Sequence, residues 1–272
     1  MDDGMPSANR KSNSSDGTVG FVDKIKYNLS LFLLRLETKG GEETARDCKA
    51  EIDDVADRFE RWTGRKAETT SIVEIGFGAR PLTAFAFTSR FATVSAMDLD
   101  APVLGLLDVL RVFRKNGFER GLKSLVRHAL FDAWQWSSFH RFMKSRSSTY
   151  DPKKTKLIVG NAGDPATWSE IDKADFIFST DVFEHLPVED LRNLVRIIKS
   201  RLAPGGLVIT RPFVFTGISG GHDLEWYPHR VPIQDGATAW GHLLDPAFTE
   251  NTYLNRLRRA EFRAIFEEAG FE

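Results

Sequence analysis

The stretch SIVEIGFGARP, residues 71–81, limits what this chain can fold into more than any other. An apolar run ends in an acid, two glycines follow with one residue between them, and a proline then opens a helical pattern. A similar rhythm continues downstream. Short apolar strands alternate with helices through SIVEIG, LTAFAFTSRF and TVSAMDLD, then KLIVGNAGD, ADFIFSTD, the helix VEDLRNLVRIIKSRL, the turn APGG and the strand LVITRPFVF. Strands separated by helices imply βαβ units and a mostly parallel, doubly wound sheet. There is no internal repeat.

At 272 residues the chain has room for one large domain with additions. Its net charge of -1 gives no global attraction to nucleic acid. Cys48 is the only cysteine, which excludes an intrachain disulfide and any multi-cysteine metal site and fits a reducing compartment. It lies in a charged, helix-like run, a poor setting for a nucleophile. The opening MDDGMPSANRKSNSSDG has no apolar h-region, and residues 1–18 read as a disordered tail. YNLSLFLLRL, residues 27–36, is far shorter than the roughly 20 residues needed to span a bilayer, so it reads as a buried or interfacial helix. Cytoplasm is the default location.

Residues 19–66 read as N-terminal helices broken at Gly40-Gly41, the second carrying Ile52, Val55, Ala56 and Phe59 on one face. Residues 67–272 read as the main domain, interrupted twice. The segment 101–150 is too long for a single crossover and reads as a helical insertion. Leu122, Leu125, Val126, Ala129, Leu130 and Ala133 follow the helical period, and basic residues outnumber acids nine to three. A packed helix with a solvated basic face, a lid, an anionic substrate surface and a peripheral membrane contact all remain open for it. The second interruption, 215–256, is rich in Gly, His, Pro and aromatics and reads as a substrate loop region. The end, FRAIFEEAGFE, reads as a helix with a glycine cap followed by the start of a further strand, as if the fold continued.

In an open α/β sheet, ligands bind beyond the carboxyl ends of the strands at the switch point. Glu74, Gly76, Gly78, Asp98, Asp164 and Asp181 all fall at or just after expected strand ends. Each also has a plainer role, since glycine makes turns and an acid caps the next helix. The dinucleotide pattern G-x-G-x-x-G is met by Gly76 and Gly78, but Pro81 takes the third place and removes an N–H. Glu74, just before the turn, is a poor neighbour for a diphosphate and a good one for a ligand bearing an ammonium and a sulfonium. Asp98, 22 residues after Gly76, is placed to accept both hydroxyls of a ribose. The rim suits a phosphate-free nucleoside better than NAD.

VEIGFGARP, AMDLD, GNAGDPATW, ADFIFSTDVFEHLP and LAPGGLVIT resemble successive motifs of the class I S-adenosylmethionine-dependent methyltransferases, over roughly residues 70–214. The resemblance implies a Rossmann-like sheet of order 3-2-1-4-5, with strands 6 and 7 of the family missing from this chain, and S-adenosyl-L-methionine as cofactor. It further implies that Glu74 holds the methionine ammonium, partly through water, and that Gly76 and Gly78 admit the backbone close to the cofactor. Asp98 would take the ribose hydroxyls, Asp164 the adenine amine, and Thr180 and Asp181 the methionine and methyl end. Where the family often has a further glycine this chain has Arg80, whose role stays open. ISGGHDLEWYPHR with the segment WGHLLD to EEAGF is similar to bacterial methyltransferases of surface-polysaccharide or other glycan synthesis, which points to an acceptor class by association.

Methyl transfer to a hydroxyl is aided by a general base, and histidine is matched to neutral pH. His222 and His185 are the candidates, with His229 and His242 behind them, each equally able to be pocket wall. Trp226 and Tyr227 offer a flat platform for a sugar ring. The adjacency of Glu184 and His185 suggests that their side chains diverge, and no cluster has ligand spacing, so no metal site is expected. The leading reading is O-methylation of a small molecule or glycan. An NAD-dependent oxidoreductase or epimerase and a non-catalytic nucleoside-binding module remain as alternatives, though Pro81 and Glu74 argue against the first. No motif bears on oligomeric state.

Overall fold

A computed structural model describes residues 41–78, 80–102, 104–105, 108, 133–222, 239–248, 250 and 252–272. The expected tail at 1–18, the helix at 27–36, the basic stretch around 120–130, Trp226, Tyr227 and His229 lie outside the described residues.

In chain order the elements are α1 (Gly41–Thr63), β1 (Ser71–Ile75), α2 (Leu82–Phe87), β2 (Thr93–Asp98), α3 (Ala133–Arg146), β3 (Thr155–Val159), β4 (Ala174–Thr180), α4 (Val188–Arg201), β5 (Leu202–Arg211), α5 (Gly241–Leu244) and α6 (Arg259–Glu268). The five strands form one sheet of order β3-β2-β1-β4-β5, as expected, and all four pairings are parallel. Parallel neighbours need crossovers, and the helical segments between strands supply them.

Strand parity sorts the side chains into two layers. Ile72, Phe176 and Phe178 turn to the side where α1, α2 and α3 pack, and α1 presents Ile52, Val55, Ala56 and Phe59 to them, the helical face legible in the sequence. Phe59 meets Phe176 with ring centroids 5.3 Å apart, and Phe87 meets Phe178 edge to face at 5.4 Å. Val73, Ile75 and Ile177 point the other way, onto α4 and α6. At the amino ends of the strands, Asp175 accepts from the Ser71 N–H and hydroxyl, both at 2.8 Å, and from Arg65 at 2.5 Å. This fastens β4 to β1 at the end opposite the ligand rim.

Two expectations need correction. APGG is not a separate turn before a strand: β5 begins at Leu202 and runs through it, with an irregular register against β4 between Ala174 and Phe176. Gly205 has φ +68, and a Cβ on Gly206 would fall 2.9 Å from the Asp175 carbonyl, so the close approach of the two strands requires glycine. The strand also stops at Arg211 rather than continuing through FVF. There Arg211 turns back to Glu51 and Asp54 of α1, at 2.9 and 3.3 Å, and lies over the Phe178 ring. β5 is the last strand among the described residues, and a groove lined by Trp62, Ile209 and Phe271 runs along it. The glycine cap expected after α6 is present: Gly270 has φ +84 and donates to the Glu267 carbonyl at 2.9 Å.

Candidate active site

The sheet order reverses between β1 and β4, and the turn after β1 sits at that switch point. Gly76 has φ +88 and donates to the Met97 carbonyl at 2.8 Å. A Cβ there would lie 2.1 Å from Val182 Cγ2, so the chain after β1 and the chain after β4 meet only because this residue is glycine. Gly78, at φ +65, donates its N–H to Asp98 Oδ2 at 2.7 Å, while a Cβ on it would point into open space. The other oxygen of Asp98 accepts from the Asp100 N–H at 3.0 Å. These two backbone bonds fix the carboxylate at the tip of β2. Each oxygen keeps a lone pair for a ligand hydroxyl. Arg80 lies half-buried at the end of the turn, its carbonyl accepting from the Leu82 N–H.

Glu74 shares the face of Ile72 and is 2% exposed, with Oε2 making no hydrogen bond. Burial first, then the charges of Glu51 and Asp98, push its carboxyl up to about 8. An orphaned buried acid beside an open glycine turn fits a ligand that brings a positive charge, and S-adenosylmethionine brings an ammonium and a sulfonium. Cys48, buried in the same layer, has its thiol pushed far up by burial and by Glu51 and Glu74, which removes it as a nucleophile at neutral pH.

Asp164 takes the plainer of its two expected roles in part. Its Oδ1 accepts from the Ala166 N–H at 2.9 Å and caps the short 3-10 turn Pro165–Trp168. It is exposed on the rim beyond β3, next to Ala162, whose carbonyl takes the Trp168 indole N–H. Thr180 donates to Asp181 Oδ1 at 3.3 Å, and Asp181 sits in the left-handed region at φ +55 with its N–H on the Arg211 carbonyl.

Beyond Asp181 the chain makes a 3-10 turn, Phe183–His185. Here the expectation that Glu184 and His185 diverge fails. His185 Nε2 lies 4.0 Å from Glu184 Oε1, and His222, from the loop after β5, brings Nε2 to 3.7 Å from the same oxygen. The ligand atoms of all three lie within 4.8 Å of one another, so this group can hold a metal ion. Sequence spacing missed it because two separate loops assemble it. His222 reaches in from a left-handed backbone at φ +57, and its ring packs at 4.9 Å from that of His185 and 4.8 Å from Phe213. Glu184 is 1% exposed and both its carboxylate oxygens lack a hydrogen bond. The turn itself is held by Asn255, whose N–H donates to the Glu184 carbonyl and whose Nδ2 donates to those of Phe183 and Leu186, at 2.8, 2.7 and 3.0 Å.

A model of the methyltransferase domain family matches residues 42–272. The chain belongs to this family. It is an S-adenosylmethionine-dependent methyltransferase. No curated protein matches it. Among solved structures it is similar to DesVI of Streptomyces venezuelae, at 17% identity and a TM-score of 0.48, covering 91% of this chain and 90% of that one. It is similar to magnesium protoporphyrin IX methyltransferase of Synechocystis PCC 6803, solved with bound SAH, at 13% identity and 0.45, covering 94% and 80%. A third similarity is to SAM-bound CalS10, an amino pentose methyltransferase from Micromonospora echinaspora, at 18% and 0.38, covering 76% of this chain and 58% of that one.

In the methyltransferase, then, the oxidoreductase and non-catalytic readings give way to methyl transfer. Gly78 is bonded to Asp98 and Gly76 to the adjoining Met97 carbonyl, and Glu74 is near enough to feel the Asp98 charge, while His185 and His222 share a cluster with Glu184. His242 stands apart: it is buried, with Nε2 2.7 Å from the Phe215 carbonyl and its ring between Phe215 and Phe248, which makes it a loop-packing residue. In the sequence Glu184 is weighed only as a neighbour of His185 and set aside, and Asn255 is not singled out. The one signal for Glu184 was its place inside FEHLP, between an apolar strand and a helix start. No helix among the described residues is long and apolar enough to cross a membrane.

Proposed function

We propose that the methyltransferase O-methylates a small molecule or glycan, with the donor over the β1–β2 rim and the acceptor hydroxyl at the Glu184–His185–His222 cluster. S-adenosylmethionine, when bound, supplies a methyl group on a sulfonium leaving group, so the protein has mainly to align the partners and exclude water. Glu74 holds the ammonium, the Gly76–Gly78 backbone admits the donor closely, Asp98 takes the ribose hydroxyls and Asp164 the adenine amine. Thr180 and Asp181 line the methyl end. The His222 imidazole takes the acceptor's proton, and the Glu184 carboxylate 3.7 Å away balances the charge it gains. His185 forms the adjoining wall.

The observation that carries this reading is the buried carboxylate of Glu74, with Oε2 unbonded, next to an open glycine turn that is bonded to Asp98. Calorimetry tests the donor half. S-adenosylhomocysteine is expected to bind in the micromolar range, as an order of magnitude, and NAD not at all. Asp98→Ala should lose about 1–3 kcal/mol of binding through its charged hydrogen bonds. Wild-type affinity in that variant would remove Asp98 from the site. Mass spectrometry of a panel of sugars, phenols and amines incubated with S-adenosylmethionine tests the acceptor half, and methylation of amines alone would overturn the O-methylation.

A further inference from the structure

We infer that Glu184, His185 and His222 bind one divalent first-row transition cation, which holds and acidifies the acceptor hydroxyl. This rests on the placing of the acceptor at that cluster and deepens it. Three independent features point to a cation.

The first is distance. Around a cation with bonds of about 2.0–2.2 Å, neighbouring ligand atoms sit about 3–3.5 Å apart. Glu184 Oε1 is 3.7 Å from His222 Nε2 and 4.0 Å from His185 Nε2, so small side-chain rotations close the set. The second is burial. Glu184 is 1% exposed, yet neither carboxylate oxygen makes a hydrogen bond, although its backbone carbonyl is bonded to Asn255. A buried carboxylate is retained where something compensates it, and Oε1 here faces two imidazole nitrogens rather than donors from the fold.

The third is ring orientation. His185 Nδ1 is 3.1 Å from the Tyr253 carbonyl, an acceptor only, so Nδ1 carries the proton and Nε2 presents a lone pair on the Glu184 side. A backbone carbonyl behind a ligating histidine is the usual device for aiming the ring at a metal. The His222 backbone is likewise held in place: its main-chain N–H donates to the Ser219 carbonyl at 3.0 Å, from a conformation at φ +57 that residues other than glycine seldom adopt.

Two imidazoles and one carboxylate select the cation class. Calcium and magnesium prefer all-oxygen shells, whereas zinc, manganese, iron and cobalt accept this mixed set. Three protein ligands leave positions open for oxygen donors of the acceptor. A hydroxyl bound there is acidified as a metal-bound water is, and its proton passes to solvent water. His222 then serves as a ligand, and the cation rather than His222 carries the deprotonation.

The test uses the full chain, stripped with a chelator and saturated with S-adenosylhomocysteine, then titrated with Zn²⁺ and with Mn²⁺ in a calorimeter. The expected result is one equivalent bound per chain, weakened at least tenfold in Glu184→Gln and in His185→Gln, with S-adenosylhomocysteine affinity unchanged in both. Two variants are used so that a folding failure in one leaves the other to decide. Absence of saturable binding, or equal affinity in wild type and both variants, overturns the inference. Methyl transfer that persists in chelator also overturns it and leaves the proposed function standing. Loss of S-adenosylhomocysteine binding sinks the proposed function instead, whatever the cation does.

Discussion

Glu74 shows how a single residue can be read twice. In the sequence it is the acid before a glycine turn. In the fold it is also an acid turned inward toward α1, raised to about 8 by burial and by the nearby Glu51 and Asp98. At pH 7 the ligand-free protein therefore carries it mostly protonated. Pairing with an ammonium requires the carboxylate, so donor binding must expel that proton. Calorimetry of S-adenosylhomocysteine at pH 7 in buffers of differing ionisation enthalpy should report release of most of one proton in the wild type and almost none in Glu74→Gln. Equal release from both would remove Glu74 from the donor site. The identity of this residue was legible because position relative to a strand end is a local property. Its raised proton affinity was not, because it comes first from burial in the packed fold and then from Glu51, which α1 brings near.

At the scale of elements, strand parity and helical period were legible because each depends on a few neighbouring residues. Ile72 and Val73 fall on opposite faces, and Ile52, Val55, Ala56 and Phe59 on one, as the pattern requires. The Phe183–His185 turn belongs to a different class. Its shape is imposed by Asn255, which stands 69 and 72 residues from the carbonyls its side chain holds, and no local pattern announces such a tether. The same reason hid the meeting of Glu184 with His222. Asn255→Ala removes three side-chain bonds, leaving the Phe183 and Leu186 carbonyls without their donors and the Leu257 N–H without the Oδ1 acceptor. We expect a loss of about 1–3 kcal/mol in urea unfolding, and a larger loss of methyl transfer than of S-adenosylhomocysteine affinity. Affinity falling in step with transfer would show that the turn serves the donor instead.

For the whole molecule these groups set a pH window. Asp53 and Asp175 are pushed up by burial, but hydrogen bonds from Lys49 and Arg90 to the first, and from Ser71 and Arg65 to the second, outweigh this and hold both below the ordinary 3.8. Their contribution is complete above that value and is lost as pH falls through the lowered one. Burial, aided by Lys144, lowers His140 from 6.5, so it too favours the fold above 6.5 and less below. Glu74 acts in the opposite direction: its favourable term is complete below 4.5 and is lost as pH rises to about 8. Ligand-free stability should therefore decline between pH 6.5 and 8, by up to about 1.4 kcal/mol per pH unit. Saturating S-adenosylhomocysteine should flatten the slope, as should Glu74→Gln, as read by urea unfolding across that range. A flat profile in the wild type would contradict the assignment. The tether at Asn255 has one more consequence, in time rather than energy. A ribosome delivers the chain from its first residue onward. Gly76, Gly78 and Asp98 have their partners once Val182 has emerged, but the turn at Glu184 waits for residue 255. On the proposed assignment of the two sites, the growing protein completes its donor rim before the pocket that receives the acceptor.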